Sequence, residues 1–249
     1  MACQPHRVAR LVYDGRPVWI KRPSPVRPPG IYRALRLIAW LHGLSVLTPA
    51  PRPGGASGLC LEAQRLEALK RLGVWVPEVL LLTEEFLGLS EMPGHDLAYY
   101  MQVPGTEPVR PRVWKAGMEA ILSVHARGSY ISQCFSRNMI VSADLQTVGF
   151  IDFEDDPGLV LPTSHAQARD WLLFLLSTAV WVKGIEDRHA ILIAVLGREA
   201  PVVHDLVWGA LRRLAWFRHL PSERRWGKDA WWLQAAAQLG YECKQLINR

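Results

Sequence analysis

The chain contains, at widely spaced positions, the residue types that phosphoryl transfer from ATP requires. That chemistry needs a lysine beside the phosphates, a glutamate that holds the lysine, an asparagine and an aspartate for the metal ions, and a residue that orients the attacking hydroxyl. Lys21 ends the strand-like run VWIK, Asn138 precedes the apolar run MIV, and Asp152 lies in the run IDFE. A lysine at a strand end is usually a surface residue, so the surrounding patterns must decide its role.

Two patterns in the first half of the chain bear on Lys21. The run VWIK resembles the V-A-I-K strand of protein kinases, whose lysine meets the phosphates. The spacing ExxxLxxLxxxGVxVPxVL, which starts at Glu62, resembles the helix-to-strand passage of aminoglycoside, lipopolysaccharide and Kdo kinases. The resemblance implies that Glu62 pairs with Lys21. Glu67 is the alternative partner, and an exposed glutamate on an amphipathic helix is the ordinary interpretation of either one.

A more specific pattern lies in the second half. His125, Gly128, Asn138 and the run IDFE are spaced as in H-x-x-G-x-x-H-G-D-x-x-x-x-N-x-x-h followed by a short hairpin. This order resembles the atypical lipopolysaccharide-type and Kdo-type kinases, and the resemblance covers roughly the whole chain, thinning over the final third. It implies a protein-kinase-like fold in which Asn138 and Asp152 bind Mg²⁺.

The same resemblance implies two supporting segments. Glu91 and Met92, in the run EMPG, would form a hinge whose main chain binds the adenine of ATP. Asp170, in the run RDW, would brace the main chain of the catalytic loop. An ordinary connecting loop and a helix-surface charge pair are the alternatives for these two segments.

The catalytic loop departs from the family pattern. Counting back from Asn138 places Gln133 where the family has its catalytic aspartate. A glutamine amide orients a hydroxyl but accepts no proton, and general-base assistance is worth about 10²–10⁴-fold. Phosphoryl transfer depends mainly on positioning and electrostatics, so this change lowers the rate without abolishing the reaction. Asp155, Asp156 and His125 are alternative proton acceptors, although nothing in the sequence places them beside the acceptor.

The cover over the phosphates is the second departure. The sequence has no G-x-G-x-x-G, and only a handful of residues precede the hairpin that ends at Lys21. We therefore expect either weak nucleotide binding or a cover from another segment, such as the loop at 28–30.

These residues lead to two main hypotheses. The first is an ATP- and Mg²⁺-dependent kinase that acts on a hydroxyl, such as that of a core sugar in lipopolysaccharide. Lys21 and Glu62 would then set the phosphates, Asn138 and Asp152 the metal, and Gln133 the acceptor. The alternative is a pseudokinase, in which the same fold serves as a binding or regulatory module without phosphoryl transfer.

The elements that position these residues are β-rich first and α-rich later. Residues 7–22 predict a β-hairpin, because the pair Asp14 and Gly15 is a strong two-residue turn signal. Segregated elements of this kind favour an α+β chain, here of two lobes spanning 1–91 and 92–249. Further elements are predicted as helices over 31–47, 59–72 and 111–127, strand pairs within 74–92 and 138–155, loops over 48–58 and 92–97, and helices from 166 onward.

Composition and charge limit the partners. The chain has 249 residues, 49% hydrophobic and 21% charged, which is typical of a folded globular protein. The net charge of +6 favours an anionic partner: a nucleotide, an anionic glycolipid or sugar acceptor, or an anionic membrane face. We do not expect a nucleic-acid partner. The basic and aromatic segment 212–228 adds a weaker third hypothesis, an anion-binding adaptor, and the oligomeric state stays open.

The cysteines and apolar segments bear on the compartment. The four cysteines are far apart and form no CxxC, which predicts neither a zinc site nor a disulfide framework. The first residues, MACQPHRVAR, contain no apolar signal segment. The longest apolar stretch, 171–182, is shorter than the roughly 20 residues of a membrane span and predicts a buried helix. We therefore expect a cytoplasmic protein, with peripheral contact at the inner face of the membrane left open.

Overall fold

The computed structural model describes residues 7–25, 45–219 and 227–247. The loop at 28–30 and most of the helix predicted over 31–47 lie outside these residues. The last three residues of that predicted helix, Ser45–Leu47, form a short 3₁₀ turn.

An antiparallel sheet of four strands lies in the N-terminal part, in the order β1-β2-β4-β3. The predicted hairpin is present, and Asp14 and Gly15 both have positive φ, as the tight turn between two twisted strands requires. Val8 and Leu87 lie on either side of Lys21, which places this lysine on a central strand. The strands are β1 (Val8–Tyr13), β2 (Arg16–Lys21), β3 (Val79–Leu82) and β4 (Leu87–Ser90).

Helix α1 (Gly55–Arg71) connects the hairpin to β3 and β4. It begins before the predicted start at Leu59, so the predicted loop over 48–58 is wrong for its last four residues. The glycine-rich composition there favours a loop, but packing overrides this weak preference, since Leu59 is buried. The helix ends as predicted, because Gly73 has φ +72°. The N–H of Val74 then donates a hydrogen bond to Leu69 O at 3.0 Å, which satisfies a carbonyl of the last turn.

A second, three-stranded sheet and six helices form the described C-terminal part. The sequence predicts a loop at 92–97, but this segment contains strand β5 and the start of helix α2. Asp96 caps α2 by accepting the N–H of Tyr99 at 2.7 Å. The strands, in the order β5-β6-β7, are β5 (His95–Asp96), β6 (Met139–Val141) and β7 (Val148–Phe150). The helices are α2 (Leu97–Gln102), α3 (Arg110–Ala126), α4 (Thr163–Thr178), α5 (Arg188–Leu196), α6 (Pro201–Leu214) and α7 (Lys228–Ile247).

Helix α4 runs through the hydrophobic core. Its residues Trp171 and Phe174 are fully buried, and Trp114 of α3 donates its indole N–H to Thr178 at 3.2 Å. The apolar stretch 171–182 is therefore mostly buried, as predicted. The helix ends at Thr178, and the last four residues of the stretch form turns. Among the described helices, none combines the length and the apolar character that crossing a membrane requires. The chain is thus α+β, with a small antiparallel sheet in its N-terminal part and a helical C-terminal part, as the sequence predicts.

Candidate functional site

A cleft of about 500 Å³ lies between the two sheets. Residues of β1, β2 and β4 line one side, and residues of β5, β6 and the segment after β7 line the other. This volume falls within the range of about 300–1,000 Å³ that is usual for small-molecule sites.

Lys21 is the centre of charge in the cleft. Its Nζ lies 2.8 Å from Glu62 Oε1, 2.6 Å from Asp152 Oδ1 and 2.9 Å from Glu154 Oε1. The ion pair expected between Lys21 and Glu62 is therefore present, whereas Glu67 is exposed. Burial opposes the ammonium charge, but the three carboxylates outweigh it and raise the pKa of Lys21. The ammonium is consequently held in its charged form.

Glu62 joins three parts of the site. It lies on the buried face of α1, and its Oε1 accepts both the Lys21 ammonium and the N–H of Phe153, the latter at 3.2 Å. Its Oε2 is buried and has no hydrogen-bond partner among the described residues. Burial raises the pKa of this carboxyl, against the lowering effect of Lys21. Glu62 therefore fixes the segment after β7 relative to β2.

Asp152 follows β7 with an unusual main chain. Its φ is +68°, in the left-handed region that residues other than glycine rarely adopt. The preceding residue, Ile151, donates its N–H to Asn138 O at 2.9 Å, so the segment is held against the start of β6. Such strain persists only where the surroundings over-determine it, and it concentrates at functional sites.

Asn138 and the loop before it are fixed by buried hydrogen bonds. Asn138 donates Nδ2–H to Gln133 O at 3.0 Å. The carboxylate of Asp170 accepts the N–H groups of Ile131 and Ser132, at 2.6 and 3.0 Å. The brace expected from Asp170 is therefore present. Ser132 has φ +94°, at the position where the resembled pattern has glycine.

The side chain of Gln133 is buried, with 2% of its surface exposed. Its Oε1 accepts a hydrogen bond from Arg52 Nη2 at 2.8 Å, and its Nε2 has no partner within the described part of the chain. Gln133 is not among the described residues that line the cleft. The sequence predicts that Gln133 meets an acceptor hydroxyl, whereas in this structure its amide is turned toward Arg52.

Asp155 is the alternative proton acceptor that lies beside Gln133. It is buried, and Arg169 Nη2 and Arg52 Nε lie 3.5 and 3.9 Å from its Oδ2. Its Oδ1 lacks a hydrogen-bond partner in the ranges that the structure describes. Burial raises the pKa of Asp155, with the guanidiniums of Arg169 and Arg52 opposing the shift. Arg52 thus contacts both Gln133 and Asp155.

The other two alternatives are engaged elsewhere. Asp156 accepts the hydroxyl of Tyr130. His125 lies 2.6 Å from Glu199 Oε1 through Nδ1 and 3.3 Å from Asp170 Oδ2 through Nε2. Burial opposes the imidazolium, but these two carboxylates outweigh it and raise the pKa of His125. His125 therefore bridges Asp170 and Glu199 and acts as a structural brace behind Asp170.

Glu91 and Met92, the predicted hinge, follow the last paired residue of β4 and line the cleft. Arg10 Nε and Nη2 hold the two carboxylate oxygens of Glu91 at 2.8 and 2.9 Å. Gly94 closes the hinge with φ +136°, and an added Cβ would lie 2.1 Å from Val141 O. Only glycine allows this close approach to β6. Adenine binding by the hinge main chain stays a prediction.

Sequence reasoning missed two charged residues of the cluster. Glu154 contacts Lys21, and the guanidinium of Arg7 binds the carboxylate of Glu154. The signal for Arg7 was present in the hairpin, because a two-residue turn fixes the register and places Val8 opposite Lys21. Glu62, Asp152 and Glu154 each offer an oxygen within 4.8 Å of the others, and all three carboxylates contact the Lys21 ammonium.

The basic and aromatic segment is described only in part, since 220–226 lie outside the described residues. Trp216 is 59% exposed and lies over Phe217, with ring centroids 3.8 Å apart. Arg218 stacks on Tyr241 at 4.2 Å from the ring centroid. The segment thus combines internal packing with one exposed indole.

Comparison of the chain with models of known protein families gives no match, and comparison with curated protein sequences gives none either.

Proposed function

We propose that the chain is an ATP- and Mg²⁺-dependent phosphotransferase with a protein-kinase-like fold of the lipopolysaccharide and Kdo kinase type. Its acceptor would be a hydroxyl, such as that of a core sugar. The observation that carries the proposal is that Lys21, Asn138 and Asp152, distant in sequence, line one cleft together. These are the three residue types that bind phosphates and metal in phosphoryl transfer.

The cations of the cleft suit a phosphate chain. The ammonium of Lys21 is kept charged and is held by Glu62, in the manner of the lysine and helix glutamate of kinases. Glu91 and Met92 lie at the other end of the cleft from Lys21 along β4, where an adenine edge would meet main-chain groups. In this proposal the nucleotide extends from the hinge to Lys21.

The residues present fit a magnesium ion. Mg²⁺ takes oxygen ligands, and Asp152 and the amide oxygen of Asn138, two residues that line the cleft, would supply them. The cleft has one excess negative charge. Three carboxylates (Glu62, Asp152 and Glu154) are paired with only two cations (Lys21 and Arg7). Because this excess repels a nucleotide and attracts a divalent cation, we expect binding of ATP to depend on Mg²⁺. When bound, the metal would neutralise charge on the phosphate oxygens.

The acceptor side is less complete. Gln133 offers an amide in place of a carboxylate, and Arg52 holds its oxygen inside the fold. Arg137 is exposed and lines the cleft next to Asn138, which favours an acceptor that carries negative charge. Phosphoryl transfer without a general base proceeds more slowly but still profits from positioning and electrostatics.

The burial of Gln133 favours a second candidate function, a pseudokinase. In this alternative the cleft binds a nucleotide to stabilise one conformation of the protein, and no phosphoryl group is transferred. Its supporting observation is the hydrogen bond from Arg52 to Gln133, which occupies the amide oxygen that would orient an acceptor.

Thermal unfolding with ATP tests nucleotide binding first. We expect millimolar ATP with Mg²⁺ to raise the Tm of the wild type, since at a hundredfold excess over Kd a ligand stabilises by about 2.7 kcal/mol. Chelation of Mg²⁺ should abolish the shift, and so should Asp152→Ala. Asp205→Ala, on an exposed carboxylate of α6, is the matched control that should keep it. A wild type whose Tm does not respond to Mg²⁺ and ATP would refute nucleotide binding.

Formation of ADP then separates the enzyme from the pseudokinase. Wild-type protein that binds Mg²⁺ and ATP is expected to form ADP slowly without an added acceptor, because water takes the γ-phosphoryl group, which is released as inorganic phosphate. Asp152→Ala is expected to form none. Gln133→Asp should be assayed alone and together with Asp155→Asn, because the two side chains share Arg52. Binding without ADP formation in any of these proteins would favour the pseudokinase.

A further inference from the structure

Arg7 stands at the end of the hairpin that is nearest to Lys21. The N–H of Arg22 donates to Arg7 O at 2.8 Å, and the register sets Val8 opposite Lys21. The main chain of Arg7 is therefore fixed beside the phosphate-binding end of the proposed nucleotide site.

The side chain of Arg7 reaches into the cleft. Its guanidinium binds Glu154 Oε1, the same oxygen that lies 2.9 Å from the Nζ of Lys21. The side chain of Arg7 is 38% exposed, whereas that of Lys21 is 8% exposed. The cleft thus holds two cations that converge on one carboxylate oxygen, one buried and one accessible from solvent.

We propose that Arg7 is a phosphate-binding residue, which contacts the β- and γ-phosphates of a bound nucleoside triphosphate beside Lys21. In this way a guanidinium immediately before β1 covers the phosphates in the place of a glycine-rich loop. The inference rests on the proposed function, because it needs a nucleotide in the cleft. Glu154 holds the guanidinium in place before the nucleotide arrives.

The chemistry of the side chain supports this role. A guanidinium carries five N–H donors in a planar fork, and one carboxylate oxygen uses only part of them. The fork matches two phosphate oxygens at once, whereas an ammonium acts as a point charge. A triphosphate with its charge is therefore a stronger partner for Arg7 than Glu154 alone, and an uncharged nucleoside is no partner.

Isothermal titration with two ligands tests the inference. Arg7→Ala is expected to weaken binding of ATP with Mg²⁺ about tenfold, since charge-assisted hydrogen bonds to phosphate are lost, and to leave adenosine binding unchanged. Arg7→Gln should behave like Arg7→Ala, while Arg7→Lys should retain part of the affinity. Arg16→Ala is the matched control, because Arg16 is an exposed arginine at the turn end of the same hairpin. The unliganded Tm of each variant shows whether it is folded.

The possible results separate the two proposals. If the wild type binds neither ATP nor adenosine, the proposed function fails and the inference fails with it. If the wild type binds ATP and both Arg7→Ala and Arg7→Gln bind it equally well, the inference alone is wrong. An equal loss of affinity for ATP and adenosine also overturns it, because the effect would then lie in the shape of the cleft.

Discussion

Removal of the Lys21 ammonium tests the charge balance of the cleft. In Lys21→Met the side chain keeps its approximate length, but three carboxylates lose the cation that they share. Arg7 still neutralises Glu154, which leaves Glu62 and Asp152 as one uncompensated pair. We therefore expect the unliganded protein to lose stability because two negative charges are held together with no counter-charge.

The magnitude follows from the geometry. Oxygens of Glu62 and Asp152 lie within 4.8 Å of each other. At an effective dielectric constant of 20, unit charges that far apart repel by about 3.5 kcal/mol. Taking up one proton instead costs a glutamate about 3.7 kcal/mol at pH 7, given its usual pKa of about 4.3. Either way, Lys21→Met should lower the free energy of unfolding by about 3–4 kcal/mol, as expected for a broken buried ion pair.

The pH dependence identifies the cause. At pH 5 the same proton costs about 1 kcal/mol, so the loss of stability should shrink by about 2.7 kcal/mol between pH 7 and pH 5. A cavity or a packing defect would destabilise the variant equally at both values. The effect of pH thus separates charge repulsion from lost side-chain contacts.

Urea denaturation of the wild type and the variant at pH 7 and pH 5 provides the measurement. Lys70→Met is the matched control, since Lys70, in the last turn of α1, forms an exposed ion pair with Glu78. Its loss should be below about 1 kcal/mol at both pH values, as for surface pairs. A loss for Lys21→Met that is the same at pH 7 and pH 5 would refute the reasoning, and so would a loss as small as that of Lys70→Met.

Three further predictions concern the surroundings of the cleft. Folding raises the pKa of His125 above its unfolded value of about 6.5. The pairs of His125 with Asp170 and Glu199 therefore stabilise the fold fully below that pH and less as the pH rises. The decrease in Tm caused by His125→Gln should accordingly become smaller as the pH rises. Ser132→Gly should raise the free energy of unfolding by about 1 kcal/mol in urea, because it relieves a positive φ and removes a buried hydroxyl without a partner among the described residues. Burial raises the pKa of Asp155, so its ionised carboxylate destabilises the fold at pH values above the usual carboxyl pKa of about 3.9. Asp155→Asn should therefore raise the Tm at those pH values and not below them. An increase in Tm that does not depend on pH would contradict this.

The sequence predicts those parts of the site that depend on local patterns. The turn at Asp14 and Gly15 sets the hairpin register. Apolar residues at helical spacing, followed by Gly73, predict the end of α1. The resemblance to kinases adds the pairing of Lys21 with Glu62, which no local rule supplies. Each of these features depends on a few neighbouring residues or on one recurring motif.

The remaining features depend on contacts between distant segments. The early start of α1 follows from its packing, because the glycine-rich run before Leu59 has no strong preference for a helix. Arg52 lies in a proline-rich loop, and nothing near it in sequence indicates that it reaches Gln133 and Asp155. The burial of Gln133 follows from that contact, so the sequence predicts the position of this residue along the loop but not the direction of its amide.

The neutral amide of Gln133 and the buried carboxylate of Asp155 belong to one arrangement of charge. Arg52 and Arg169 supply two positive charges in this corner, and Asp155 supplies the carboxylate. The two guanidiniums exceed the one carboxylate by one charge, and the neutral amide oxygen of Gln133 accepts a hydrogen bond from Arg52 at 2.8 Å. Gln133 thus partners Arg52 without placing a second buried carboxylate beside Asp155. Because Gln133 and Asp155 share Arg52, a comparison of Gln133→Asp with and without Asp155→Asn separates two effects of a carboxylate at position 133: its effect on the proposed phosphoryl transfer and its competition with Asp155 for Arg52.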